Sequence, residues 1–249
     1  MNTTENLHQM KQMKMNGMAQ SYEAILSQPI DQQPEGHELL ATVLQAEVMN
    51  RQHQRTQLLL KLGKLRYQPG IEQIHCTPGR NLSKQQLSAL ADCSYIQRSE
   101  NILITGATGC GKSYLACALG HQACLMGYKT LYLNMNRFIE RVALSKVDGT
   151  FIKMLNYLEK IKLLILDDFG LQPMDHNTKL AILQILEDRY QNKSIIIVSQ
   201  LPTNKWHEYI NEPTIADAIM DRLSANTHKI ELKGESLRKK LAVKIETKE

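Results

Sequence analysis

The chain has 249 residues, 43% hydrophobic and 22% charged, with a formal net charge of +5. That is long enough for one large α/β domain with a smaller appendage, too apolar for global disorder, and mildly basic enough to permit an anionic partner without demanding one. No apolar run reaches the roughly 18 to 20 residues of a membrane helix, and the polar N-terminus carries no export signal, so the expectation is a cytoplasmic protein with no membrane partner.

Residues 1–68 read as a small helical domain. Leu7, Met10, Met13 or Lys14, and Met18 recur at helical spacing, and Tyr22, Ile25 and Leu26 continue the stripe. Pro29 and Pro34 bracket a break before a second amphipathic helix over about 35–64. Between Val48 and Ile71 there is no acidic residue, yet Arg51, Arg55, Lys61, Lys64 and Arg66 fall there. Such a run is either a solvated helix face or a phosphate-binding patch.

Pro69, Gly70, Pro78 and Gly79 mark 69–82 as a linker. The remainder, 83–249, opens with a short helix over 83–91 capped by Ser83. Short apolar strands then alternate with helices. The strands are 101–105, 130–134, 163–167, 194–199 and 228–232, and the helices fall near 112–126, 136–144, 151–160, 177–191 and 214–223. This alternation predicts parallel βαβ crossovers, a sheet covered on both faces. Five cysteines at 76, 93, 110, 117 and 124 form no CxxC pair and suit neither a disulfide framework nor a zinc site. Cys117 and Cys124 read as small buried residues.

The first strand runs into Gly106-Ala107-Thr108-Gly109-Cys110-Gly111-Lys112-Ser113, a complete G-x-x-x-x-G-K-[ST] match. Glycines let the backbone curl until its N–H groups face phosphate oxygens, and the following helix aims its positive dipole end at the same anion. Lys112 supplies a charge to the β and γ phosphates of ATP, and the Ser113 hydroxyl ligates Mg2+. The strand Leu163-Leu164-Ile165-Leu166 ends in Asp167 and Asp168. Asp167 is placed to hold Mg2+, and Asp168 to orient or deprotonate the attacking water. Ser199 and Gln200, at the tip of the 194–199 strand, suit a sensor of the γ phosphate or of the water, and the sequence leaves open which. On spacing alone Arg222 reads as a surface ion pair; the alternative is an arginine finger acting on a neighbouring subunit. Trp206 reads as a packing anchor in preference to a DNA wedge.

With these residues in place, the chain resembles the AAA+ ATPases, and more narrowly the IstB-type transposition helpers of bacterial insertion sequences, relatives of the replicative helicase loaders. The resemblance covers essentially the whole chain. It rests on GATGCGKS, LLILDDFG and VSQLP, and most specifically on the stretch from Trp206 through IADAIMDRL to IELKGESLRKK. It implies an AAA+ P-loop core with a parallel sheet in the order 5-1-4-3-2 behind a small N-terminal helical domain. It also implies a homo-oligomer on double-stranded DNA, largely independent of sequence, DNA-stimulated ATP hydrolysis, and ATP-controlled recruitment of the transposase encoded by the same element. Gly106, Ala107, Thr108, Gly109, Cys110, Gly111, Lys112 and Ser113 become the nucleotide loop, Asp167 the metal-side acid and Asp168 the catalytic acid. Many AAA+ proteins carry Glu at that last position, and the shorter Asp suits a switch better than a motor. The resemblance raises Arg222 to a finger acting in trans and makes Arg238 a second arginine sensor of the nucleotide. Arg238, Lys239, Lys240 and Lys244 form a second basic cluster for DNA. The rival readings are a replicative helicase loader, a small-molecule phosphotransferase, and a binding module that never cleaves ATP.

Overall fold

The computed structural model describes residues 3–237. One compact unit ends at Leu58 and a second begins at Leu59, so the division falls inside the long helix and not at residue 68. Helices α1 (Thr3–Gln12), α2 (Asn16–Leu26) and most of α3 (Gly36–Gly63) build the first unit. The stripe from Leu7 to Met18 is not one helix, because the chain turns at Lys14 with φ 58° and restarts. Met15 supplies no side-chain cap for that restart. The buried Glu47 of α3 does so instead, accepting from the amides of Gly17 at 2.8 Å and Met18 at 3.2 Å, while Arg51 donates to its other oxygen at 2.7 Å. A carboxylate there satisfies orphan donors and the helix dipole together. The Arg51 bond foremost, with both amides, holds the Glu47 carboxyl below its usual range.

The second unit carries helices α4 (Lys84–Ala91), α5 (Ser94–Gln97), α6 (Lys112–Leu125), α7 (Met135–Val147), α8 (Phe151–Glu159), α9 (His176–Arg189), α10 (Trp206–Ile210) and α11 (Pro213–Ser224). Its strands are β1 (Asn101–Gly106), β2 (Thr130–Asn134), β3 (Leu163–Phe169), β4 (Ser194–Ser199) and β5 (Thr227–Leu232). They form one parallel sheet in the order β2-β3-β4-β1-β5, which is the expected 5-1-4-3-2. Strand alternation sorts the core into two layers. Ile102, Ile104, Leu163, Ile165, Ile196 and Val198 pack with α6, whereas Leu103, Leu164, Leu166, Ile195 and Ile197 pack with residues of α7, α9 and α11.

The stretch expected as a linker belongs to this core. Ile74 and Leu82 are buried in the α6 layer, and the Pro and Gly signals mark short 3-10 turns at Ile71–Gln73 and Pro78–Arg80 rather than a flexible tether. Ser83 caps α4 in a reciprocal capping box with Gln86. Cys117 and Cys124 are fully buried. Trp206 packs on Phe169 with ring centroids 4.7 Å apart, and its indole N–H donates to the Leu201 carbonyl at 3.0 Å, which makes it an anchor. Among the described residues no helix is long and apolar enough to cross a membrane.

Candidate active site

The phosphate loop joins the end of β1 to the start of α6, so helix and sheet fix it from both sides. Its tight path requires glycine at Gly106 and Gly111. Gly106 has φ +142°, and a Cβ there would lie 2.2 Å from the Leu232 carbonyl oxygen; Gly111 has φ +93° as the residue preceding α6. Two contacts from elsewhere in the chain brace the loop, and one of the donors, Arg80, is itself held by a further carbonyl. Arg80 donates to the Cys110 carbonyl at 2.8 Å and to the His75 carbonyl at 2.6 Å, and the Leu237 amide donates to the Gly109 carbonyl at 3.0 Å. Lys112, nearly buried, reaches back to the Ala107 carbonyl at 2.9 Å.

Beside the loop, the Ser113 hydroxyl donates to Asp167 Oδ1 at 3.0 Å, and Tyr132 on β2 donates to Asp167 Oδ2 at 2.6 Å. Asp167 is fully buried. It continues the Leu163–Ile165 face of β3 toward α6, which is what carries it to Ser113. Asp168 should alternate to the other face. Instead it adopts φ 63°, the register with β4 shifts between Leu166 and Phe169, and the side chain enters the nucleotide cavity. A bulge at a strand end re-aims a side chain in this way, and Asp is among the residues that tolerate the left-handed region best. Asn134, at the end of β2, donates to Asp168 Oδ2 at 2.7 Å while its carbonyl caps α7. A serine hydroxyl against a buried carboxylate, with a second carboxylate adjacent, is the hard-oxygen donor set that suits Mg2+.

The cavity measures about 730 Å³ and is lined by Thr108, Gly109, Gly111, Lys112, Ser113, Asp168 and Gln200 on its phosphate side. Its other wall is aromatic and basic. Tyr67 and Tyr114 lie 5.8 Å apart, Arg66 sits 5.4 Å over the Tyr67 ring, and the Tyr114 hydroxyl donates to Gln73 at 3.1 Å. Neither Arg66 nor the tyrosines were singled out for this site by sequence; no motif marks them. The expected basic patch therefore divides: Arg66 faces the nucleotide cavity and Arg51 is paired with Glu47, because the acid-free window begins one residue after that partner.

The two sensor candidates also separate. Gln200 lines the cavity and accepts from the Thr108 hydroxyl at 2.7 Å. Ser199 is fully buried, donating to the Phe169 carbonyl at 2.6 Å and accepting from the Leu201 amide at 3.0 Å, so it holds backbone and does not face the cavity. Arg222 lies at the opposite edge of the sheet. It lies in the last turn of α11, just before β5 opens opposite Asn101, the first residue of β1. There its guanidinium pairs with Glu187 and donates to the Ala218 carbonyl at 2.8 Å. β1 alone spans about 17 Å at 3.3 Å per residue, so within one copy Arg222 is out of reach of the phosphate loop. Arg238, Lys239, Lys240 and Lys244 lie outside the described residues.

Three comparisons bear on this geometry. The family model described as IstB-like ATP binding protein matches residues 8–244. A Sinorhizobium fredii protein named as an insertion sequence ATP-binding protein is 39% identical over 233 residues, 94% of this chain and 95% of its own length. A Pseudomonas fluorescens protein named as the ATP-binding protein of insertion sequence IS1162 is 37% identical, over 82% of this chain and 89% of its own. Among solved structures, DnaI superposes with a TM-score of 0.58 at 19% identity, over 68% of this chain and 92% of that one. The last likeness is one of fold.

Proposed function

The chain belongs to the IstB-like ATP-binding proteins of insertion sequences, and from that premise we propose that it is a DNA-dependent ATPase that assembles on target DNA and presents it to the transposase of its own element. ATP occupies the cavity at the end of β1, its phosphates in the loop from Gly106 to Ser113. Lys112 places its ammonium at the β and γ phosphates, and the first turn of α6 adds its backbone donors. Ser113 and Asp167 would hold Mg2+, which would neutralise charge on those phosphates. Asp168, held by Asn134, orients the attacking water and takes its proton, and Gln200 reports the γ phosphate to the loop through Thr108. Arg222 serves the phosphates of a second copy.

The observation that carries this reading is the division of the catalytic parts between two edges of one sheet. A site whose acids lie at the strand ends and whose finger lies at the strand beginnings is complete only between copies stacked head to tail. Assembly on a duplex provides such stacking, since modest basic surfaces on many subunits add up along a regular array of phosphates. The likeness to DnaI, at 19% identity, is one of fold and lends this chain no role, whereas the relatives at 37% and 39% identity are named as insertion-sequence proteins.

The test is phosphate release measured with and without duplex DNA of unrelated sequences, at rising protein concentration. The expected result is turnover stimulated by any duplex, steeper than linear in protein, with inorganic phosphate as the product. Turnover that is linear in protein and indifferent to DNA contradicts the proposal.

A further inference from the structure

Asp167 is fully buried, and a buried carboxylate must have both oxygens hydrogen-bonded. Oδ1 accepts from the Ser113 hydroxyl at 3.0 Å and from the Asp168 amide at 2.9 Å. Oδ2 accepts from Tyr132 at 2.6 Å. The terminal torsion of an Asp is soft and two-fold, so the angle at which the carboxylate faces Ser113 is set by these partners and not by the side chain itself.

Tyr132 is placed for this by strand order. β2 runs beside β3 with Tyr132 opposite Ile165 and Asn134 opposite Asp167. The hydroxyl therefore reaches Asp167 diagonally, a span of about 7 Å that only a long side chain crosses. The ring is buried in the α6 layer of the core. At 2.6 Å from a carboxylate oxygen, the hydroxyl is the donor of that bond. Arg66 lines the cavity, lies over Tyr67, and is near enough to the Tyr132 hydroxyl to interact with it electrostatically. A continuous path thus runs from the cavity wall through Arg66 and Tyr132 to the acid behind Ser113.

We propose that Tyr132 is a positioning residue for the metal-side acid: it occupies one oxygen of Asp167, and Arg66 steadies it, so that the other oxygen stays aimed at Ser113. This rests on the reading of the site as one for magnesium and ATP. It assigns to a tyrosine on β2 the orientation of a carboxylate on β3, and it makes the tightness of the metal site sensitive to the cavity wall.

The experiment is calorimetric binding of ATPγS to the full chain at increasing Mg2+, for the parent, Tyr132→Phe, Arg66→Gln and Ser113→Ala. Tyr132→Phe keeps the ring and removes the donor; the half-saturating Mg2+ concentration is expected to rise about tenfold, the effect typical of an outer-shell partner. ATPγS affinity without Mg2+ should stay near the parent's, while the melting temperature falls by a few degrees because one oxygen of the buried carboxylate loses its donor. Arg66→Gln should shift the Mg2+ dependence in the same direction by less. Should Tyr132→Phe fail to fold, Arg66→Gln decides, since its side chain lies at the cavity wall. A Mg2+ titration superimposable on the parent's in the folded variants overturns the proposal, as does an equal loss of binding with and without Mg2+, which marks Tyr132 as packing alone. Ser113→Ala separates this from the site reading: if it too leaves the Mg2+ dependence unchanged, the reading of the site fails, and if it alone shifts, only the role of Tyr132 fails.

Discussion

At the ends of β1, β3 and β4, the Asp168 carboxylate, a lysine and a glutamine converge on an open cavity of about 730 Å³. At the beginnings of the same strands, charged groups are used up. Arg189 is 2% exposed and donates to the carbonyls of Leu158, Ile161, Lys162 and Ser194, while Arg222 is tied to Glu187. Both edges use the same chemistry under different access to water. Where backbone carbonyls have replaced solvent, a guanidinium is a structural cap, and burial alone pulls its pKa down. Where a cavity remains, acids and amides stay available to a ligand. Arg222 stands between these cases: at the closed edge, yet only partly buried and held by one carboxylate and one carbonyl.

The largest effect is expected at the closed edge. Arg189→Ala leaves several buried carbonyls without a donor and should lower unfolding free energy by about 4 kcal/mol, read from a urea titration. A loss under about 1 kcal/mol would show that the carbonyls find other partners and that the edges differ less than described. Gln200→Ala, at the open edge, should reduce kcat about tenfold with ATP affinity nearly unchanged. The smallest effect is expected at Ser199→Ala, which removes a bridge between Phe169 and Leu201. It should cost about 1 kcal/mol of stability and leave turnover per folded molecule intact. Exchanged phenotypes for Ser199 and Gln200 would reverse their assignment.

The open edge is largely legible in the sequence, because its chemistry sits in contiguous residues. The GATGCGKS loop and the LLILDD strand each carry their own chain direction and their own reason for the residue types. The Ser83 cap of α4 and the five strands are legible on the same local grounds. What is not legible depends on neighbours. Tyr132 looks like an ordinary aromatic in the strand TLYLN until β2 is laid beside β3, and Arg80 until its turn is laid against the phosphate loop. The Arg51 to Arg66 run reads as one patch only if Glu47 is ignored and the helix is continued through Lys64, where φ is 50°. The break at Lys14 escapes for the same reason, since the residue that caps the restart lies on another helix. Proline and glycine at 69–82 announce turns correctly, yet say nothing of whether the turns are packed.

The central claim, that a working site needs parts from two copies, is tested most directly by mixing two inactive variants. Asp168→Asn retains the finger and Arg222→Ala retains the acid; the loss of the finger alone should slow hydrolysis about 1,000-fold. Combined on duplex DNA with ATP, the two should recover phosphate release well above the sum of their separate rates, peaking near equal proportions. A mixture no faster than that sum at any ratio would contradict the account and return Arg222 to a structural ion pair with Glu187.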